Sequence, residues 1–508
     1  MCADGEGETR IGGEAMLKNV SRLQCKSGLM LAVLLAATWG TAASSQTLTP
    51  LVSFSGSNGA NPAIGSLASD ADGNLFGATL NGGGSNDCCG TVFEVAKTTN
   101  GYAATPAVLF NFPSFTSPYG ALPYAGLLVD SNNDLLGTTI TGGATSYGTV
   151  FEMLKTSTGY ASAPSTLVNF NGSNGEGPNG GLIADSSGDL FGTTESGGAN
   201  GFGAVFEVVA TSSGYASTPT TLVSFDGTNG WQPTAGLVAD SKGNLFGTTI
   251  KGGASYDPSN PYVHPGFGTV FEIAKTSKGY ASTPITLFNF DGSVGANPVA
   301  ELIFDANGNL FGTTETGGTY GYGTVFEIVK TASGYESTPT VLVNFSGSDG
   351  ATPFSGLIMD AAGNLFGTTF AGGSLFNASD PVTYPGDGTV FEITMTSSGY
   401  SSTPMTLVNF DGSNGAIPYA TLIADAYGNL FGTTGSGGTV NKGTVFELSG
   451  SGFVPPTQFV GTPGTTNCTG GSVSALVQTY GGEAHAAAAL GYASVADLQN
   501  AVRQYCSQ

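Results

Sequence analysis

Two acidic residues recur so regularly along this chain that any chemistry must first be argued through them. Aspartate stands at Asp70, Asp130, Asp185, Asp240, Asp305, Asp360 and Asp425, each four residues ahead of an Asn or another Asp. Glutamate stands at Glu94, Glu152, Glu207, Glu272, Glu327, Glu392 and Glu447, each closing a GTVFE or GAVFE unit. The run Asp70-Ala71-Asp72-Gly73-Asn74 invites a calcium loop, but calcium takes roughly six to eight oxygens and most copies of this turn offer one carboxylate and an Asn. A turn in which Asp accepts backbone N–H bonds accounts for all seven copies, so no cofactor is expected, with calcium as the minor alternative. Seven equivalent glutamates suit a structural bond made once per repeat, to a Thr hydroxyl or a backbone N–H. An active site needs two or three unlike groups with separated pKa values. A glycosidase pair among these acids is the enzymatic alternative.

Histidine excludes more than it offers. His264 and His485 are the whole complement, so a multi-histidine metal site is ruled out, and no GxSxG stands on a strand-to-helix turn. His264 lies in one of two insertions, residues 254–266 and 374–386, both between the second and third strands of their repeats. Tyr256, Tyr262 and His264 in the first, and Phe376 and Tyr384 in the second, flank Tyr320 and Tyr322 of the repeat between them. Aromatic rings on long loops offer flat apolar area plus hydrogen bonds, as surfaces for carbohydrate or peptide do. The competing reading is that these loops only cap the edges of the repeats. The adjacent Cys88 and Cys89 stand in the equivalent loop of the first repeat, as a vicinal disulfide or as thiols that are free or paired elsewhere.

The element that must position all of these is a tandem repeat. The Phe of GTVFE falls at Phe93, Phe151, Phe206, Phe271, Phe326, Phe391 and Phe446, a GNLFGTT-like unit precedes each, and a TLVNFDGSNG-like unit follows all but the last. Such a period signals a propeller, solenoid or array. Within Leu302 to Phe345 the pattern predicts four short strands: Leu302 to Phe304, Leu310 to Thr314, Thr324 to Val329 and Val341 to Phe345. Their runs are apolar on both faces, as stacked blades require. Glycine inside the second strand, such as Gly312, implies close approach of a neighbouring element. The fourth strand is missing from the last repeat and present before the first, at Leu51-Val52-Ser53-Phe54. A ring explains that offset, because the N-terminal strand then completes the last blade beside Thr444 to Leu448. The expected fold is therefore all-β, a seven-bladed β-propeller of four-stranded blades over residues 44–450, closed by its N-terminal strand.

In wording such as GLIADSSGDLFGTTESGGANGFGAVFE the repeats resemble the bacterial GloVer tandem-repeat family of extracellular proteins with variable C-terminal anchoring. The resemblance covers about Leu51 to Leu448. It implies a secreted or surface location and supplies no catalytic residues. By fold analogy alone, the strand-turn-strand unit is similar to the NHL-type propeller repeat.

Composition and termini bound the rest. With 81 glycines in 508 residues, 10% charged residues and a net charge of −23, the chain lacks the Lys/Arg surface that nucleic acid requires. Lys18, Arg22 and Lys26 precede an apolar run from Leu29 to Trp39 and then small residues to Ala43. Residues 1–43 are thus expected to be a signal region, with Met16 a second candidate start and no transmembrane anchor after cleavage. A Pro/Gly/Thr linker over 451–467 leads to a small α-helical tail, 468–508, stapled by Cys468 and Cys506. The expected function is an exported binding or adhesion module for carbohydrate or protein, periplasmic, extracellular or on the cell surface. A structural envelope protein and a polysaccharide-acting hydrolase or lyase are the alternatives.

Overall fold

The computed structural model describes residues 46–62, 65–83, 88–383, 385–455 and Gln499. The expected signal region, the linker beyond Pro455 and the expected helical tail with its proposed Cys468–Cys506 pair lie outside these residues, Gln499 apart. Residues 46–455 form seven four-stranded antiparallel units, and the fifth shows the plan. Its strands Ile303–Phe304, Leu310–Thr314, Thr324–Ile328 and Thr340–Asn344 lie side by side in chain order. A short ribbon, Lys330–Thr331 paired with Gly334–Tyr335, occupies what reads in the sequence as a plain turn.

The repeated residues each close one part of this unit. Asp305 Oδ1 accepts the N–H groups of Asn307 and Asn309, and its Oδ2 accepts Asn309 Nδ2. Asn309 Oδ1 in turn accepts the N–H of Lys330 at 2.8 Å, tying the first hairpin to the end of the third strand. The Asp Oδ1 atoms of the other six copies accept the same two N–H groups. Gly312 pairs with Phe326, and a Cβ on that glycine would lie 2.6 Å from Phe326 Cζ. The close approach thus comes from a ring on the adjacent strand of the same blade. Thr314 and Thr324 share a buried hydroxyl–hydroxyl bond of 2.9 Å. The one GAVFE copy puts Ala204 in place of that second threonine.

The core lies between the blades. One buried cluster joins Phe191, Val205, Val223 and Phe225 of blade 3 to Leu237, Leu245, Phe271 and Ile273 of blade 4. Each fully buried ring contributes about 2 kcal/mol of apolar burial. The same set recurs where the chain ends meet: Val52, Phe54, Phe431 and Val445 pack on Leu67, Leu75, Phe93 and Val95. The strand Thr47–Ser53 pairs with Thr444–Ser449 from Thr47↔Ser449 to Ser53↔Thr444, so the N-terminal strand is the outermost of blade 7. Pro50 is tolerated there because an edge strand needs no N–H on its open side. The ring is closed, and the molecule is a seven-bladed β-propeller.

A latch joins neighbouring blades on the face of the Asp turns. In five of the six ribbons the Tyr packs edge-on against the second-strand Phe of the preceding blade, as Tyr335 does on Phe246 at 5.6 Å and Tyr280 on Phe191 at 5.4 Å, while Tyr215 joins the cluster of Leu136. Lysines support it: Lys330 reaches Asp240 and Lys275 reaches Asp185.

The glutamates of GTVFE depart from expectation. Glu392 accepts a hydrogen bond from Thr394 at 3.4 Å, and the other six carboxylates make none among the described residues. They face the latch side, half-buried beside the turn aspartates. Burial, with help from Asp305, pushes the Glu327 carboxyl above its usual range. The repeat therefore places a strip of half-buried negative charge where a bond was expected.

Candidate functional site

On the opposite face, three registers of the repeat converge on the ring axis. Each begins from a constrained turn. Thr352 and Ile417 are β-branched yet have φ of 54° and 60°, a conformation costing about 1–3 kcal/mol. Two hydrogen bonds hold Thr352 there: its N–H donates to Tyr322 O and its carbonyl accepts the N–H of Phe370. The proline that follows delivers the next side chain to the axis. That first register carries Tyr124, Asn179, Thr234, Val299, Phe354 and Tyr419. The second, just before the innermost strand, carries Gly126, Gly181, Gly236, Glu301, Gly356 and Thr421. The third follows the Thr-Thr pair and carries Glu195, Glu315 and Phe370 among apolar residues. Threonines of one blade brace the next, as Thr193 Oγ1 does on Ala235 O at 2.8 Å and Thr313 Oγ1 on Ser355 O at 3.0 Å.

Asn179, Thr234, Val299 and Phe354 of the first register and all of the second line an axial cavity of about 50 Å³. Glu301 is the one charged side chain on its wall among the described residues. It stretches across Gly236, where a Cβ would fall 2.1 Å from Glu301 Oε1, and takes a hydrogen bond from the Gly236 N–H. Burial pushes its carboxyl up. Above it, Glu195 is held by both oxygens, from Asn179 Nδ2 at 2.7 Å and Gln232 Nε2 at 2.9 Å. Asn179 Oδ1 is buried without a partner. Glu315 has no hydrogen-bond partner for its carboxylate among the described residues, and burial pushes it up.

Phe354 is the aromatic part of the wall, and further rings cluster beside it. Tyr419 packs at 5.0 Å on Phe370 and 5.8 Å on Phe354. Tyr124 lies in the field of groups from three other blades: burial pushes its phenol up to about 12, with further contributions from Tyr419, Glu195 and Glu315. The mouth thus combines flat apolar surface with clustered acceptors, an arrangement suited to holding a ligand.

The residues singled out from the sequence divide differently. Tyr256 packs against Phe202 and Trp231 at 5.8 and 6.2 Å, and Phe376 against Tyr322 at 5.2 Å. These three join neighbouring blades. Tyr262, Tyr320 and His264 are exposed, Tyr262 at 92% and Tyr320 at 60%. Tyr384 lies outside the described residues. Cys88 and Cys89 form a vicinal disulfide, with Cys89 buried at a φ of 83°. No group of three or more His, Cys, Asp or Glu able to hold a metal occurs among the described residues. None of the mouth residues stands out by type. Their signal is variation at fixed registers, Glu301 where other copies have Gly, Ser or Thr, within a repeat that otherwise barely changes.

Fold and site define a repeat propeller with an asymmetric axial mouth. Residues 102–260, 155–380 and 263–489 match the Gloeobacter/Verrucomicrobia repeat, and the chain belongs to that family. No curated protein matches it. Among solved structures it is similar to a luciferin-regenerating enzyme, 16% identical over 65% of this chain and 92% of that one, with a TM-score of 0.38. It is also similar to the PQQ-bound aldose sugar dehydrogenase of Streptomyces coelicolor, 14% identical over 80% and 99%, with a TM-score of 0.39. Neither likeness bears on activity. No helix among the described residues is long and apolar enough to cross a membrane.

Proposed function

We propose that this protein is an exported binding propeller, secreted or held at the cell surface, that captures carbohydrate at the axial mouth. The observation that carries the reading is the cluster at the cavity: Phe354 and Asn179 line it, Phe370 and Tyr419 pack on Phe354, and Glu195 is bonded to Asn179 and Gln232. Aromatic faces cover the apolar faces of sugar rings, and fixed carboxylates and amides read their hydroxyls. The rigid ring beneath pre-organises these groups and limits the ordering cost of binding.

The export signal read at residues 18–43 and the family's expected location support an envelope or extracellular setting. The two long loops rise on the same face as the mouth, with Tyr262 and Val382 at their exposed tips. They would add a rim to a ligand longer than one sugar. A glycan-array screen of the full chain tests the reading: binding to oligosaccharides that Tyr419→Ala abolishes supports it, and an array without signal sinks it.

A further inference from the structure

We infer that the Cys88–Cys89 disulfide is a redox switch on the axial mouth: a dithiol reductant that opens it releases the turn placing Tyr124. Its bearing on ligand capture rests on the mouth being the binding site. The Leu122 N–H donates to Cys89 O at 2.9 Å, and the Ile140 N–H donates to Leu122 O at 3.1 Å. These two bonds hold Leu122 at a φ of 57°. Pro123 and Tyr124 follow it directly, and Ala125 and Gly126 after them line the cavity. One carbonyl, on a disulfide-bonded residue, therefore braces the segment that enters the mouth between blades 1 and 2.

Blade 1 holds that carbonyl differently from the other six blades. In those, the residue accepting this bond has ordinary backbone, and the residue before it takes the positive φ: Ser146, Gly201, Gly266, Gly321, Gly386 and Asn441. In blade 1 the positive φ, 83°, falls on Cys89 itself. Cysteine seldom adopts that conformation unaided, and the ring closed through the two sulfurs ties its backbone to that of Cys88. Opening the ring frees Cys89 to return to negative φ, which turns its carbonyl away from Leu122. Cys89 is wholly buried and Cys88 half-buried, so a thiolate of the reductant attacks the Cys88 sulfur and Cys89 leaves as the thiolate, taking up a proton. The second thiol of the reductant then displaces Cys88, which gives a cyclic disulfide and two protein thiols.

The test is amide hydrogen exchange of the full chain with and without dithiothreitol, with alkylation and peptide mapping to establish the state of Cys88 and Cys89 in each sample. Exchange at Leu122 should quicken at least tenfold on reduction. Thr352, whose N–H donates to Tyr322 O at 2.8 Å in the equivalent turn, should keep its rate and controls for reduction of the other cysteines. The double variant Cys88→Ser with Cys89→Ser should exchange fast at Leu122 in both conditions. An unchanged Leu122 rate on reduction overturns the inference, as do free thiols at Cys88 and Cys89 before reductant is added. Equal quickening of Leu122 and Thr352 overturns it as general loosening, and slow exchange at Leu122 in the serine variant overturns it too. None of these readouts needs a ligand, so an empty glycan array sinks carbohydrate capture and leaves the switch standing.

Discussion

Phe453 packs against Phe366 with ring centroids 5.1 Å apart, the place in the ring that Tyr400 takes on Phe311 one blade earlier at 5.6 Å. Blade 7 has no ribbon of its own, because its fourth strand comes from the N-terminus. The chain leaving Ser449 supplies the latch instead, and Val454 N–H donates to Asp360 Oδ2 while its carbonyl accepts the N–H of Ala361. The segments that enter and leave the ring therefore both finish it, one as a strand and one as a clasp.

The clasp predicts an asymmetric mutational response. Phe453→Ala should cost about 3 kcal/mol in denaturant unfolding, as loss of a buried aromatic ring does. Phe453→Tyr should cost far less, since tyrosine serves the other latches. Equal losses for the two variants would show that Phe453 is not a latch.

Closure by the N-terminal strand predicts that deleting residues 44–56 removes Val52 and Phe54 from the cluster they share with Leu67 and Phe93. The melting temperature should drop by about 5 °C or more. A truncated chain that melts with the full one would mean the strand adds nothing to the ring.

The strip of glutamates predicts a pH dependence opposite to that of an ion-paired protein. Burial raises the Glu327 carboxyl above its ordinary value of 4.5, so the folded chain holds that proton more tightly than the unfolded one. The stability from this linkage is complete below pH 4.5 and lost as pH rises through the raised value. The other six glutamates shift in the same direction. The protein should melt higher at pH 5 than at pH 8, and Glu327→Gln should raise the melting temperature at pH 8 while leaving it unchanged at pH 4. A melting temperature that falls on acidification across this window contradicts the account.

The contact between Glu301 and Gly236 predicts a paired effect at the cavity base. Gly236→Ala places a methyl against Glu301 Oε1 and should destabilise the chain, by less than Gly312→Ala, whose methyl meets the confined Phe326 ring. Adding Glu301→Gly should relieve the cost of Gly236→Ala. A double-mutant cycle showing no coupling would place Glu301 elsewhere.

Much of the fold is legible in the sequence because each blade repeats its instructions. Asp305 with Asn309 writes the turn, Gly312 opposite Phe326 writes the second pairing, and the displaced fourth strand at Leu51 to Phe54 writes closure. The latch was not legible, since Gly334-Tyr335 reads locally as a turn and its partner Phe246 lies one blade away. The mouth was hidden for a different reason. Tyr124, Glu195 and Glu315 are far apart in the chain and come near one another only because a closed ring brings the same registers of every blade to the axis. The long loops drew attention by length, yet Tyr256 and Phe376 are committed to packing.

The central claim is that the ligand sits at the axial mouth, with the long loops at most a rim. The most direct measurement compares glycan binding by two double variants of the full chain, Tyr124→Ala with Tyr419→Ala, and Tyr262→Ala with Val382→Ser. The account predicts that the first pair loses binding by at least tenfold while the second changes it by less than about threefold, roughly 1.4 against 0.7 kcal/mol. Loss of binding in the loop pair with the mouth pair intact would contradict it.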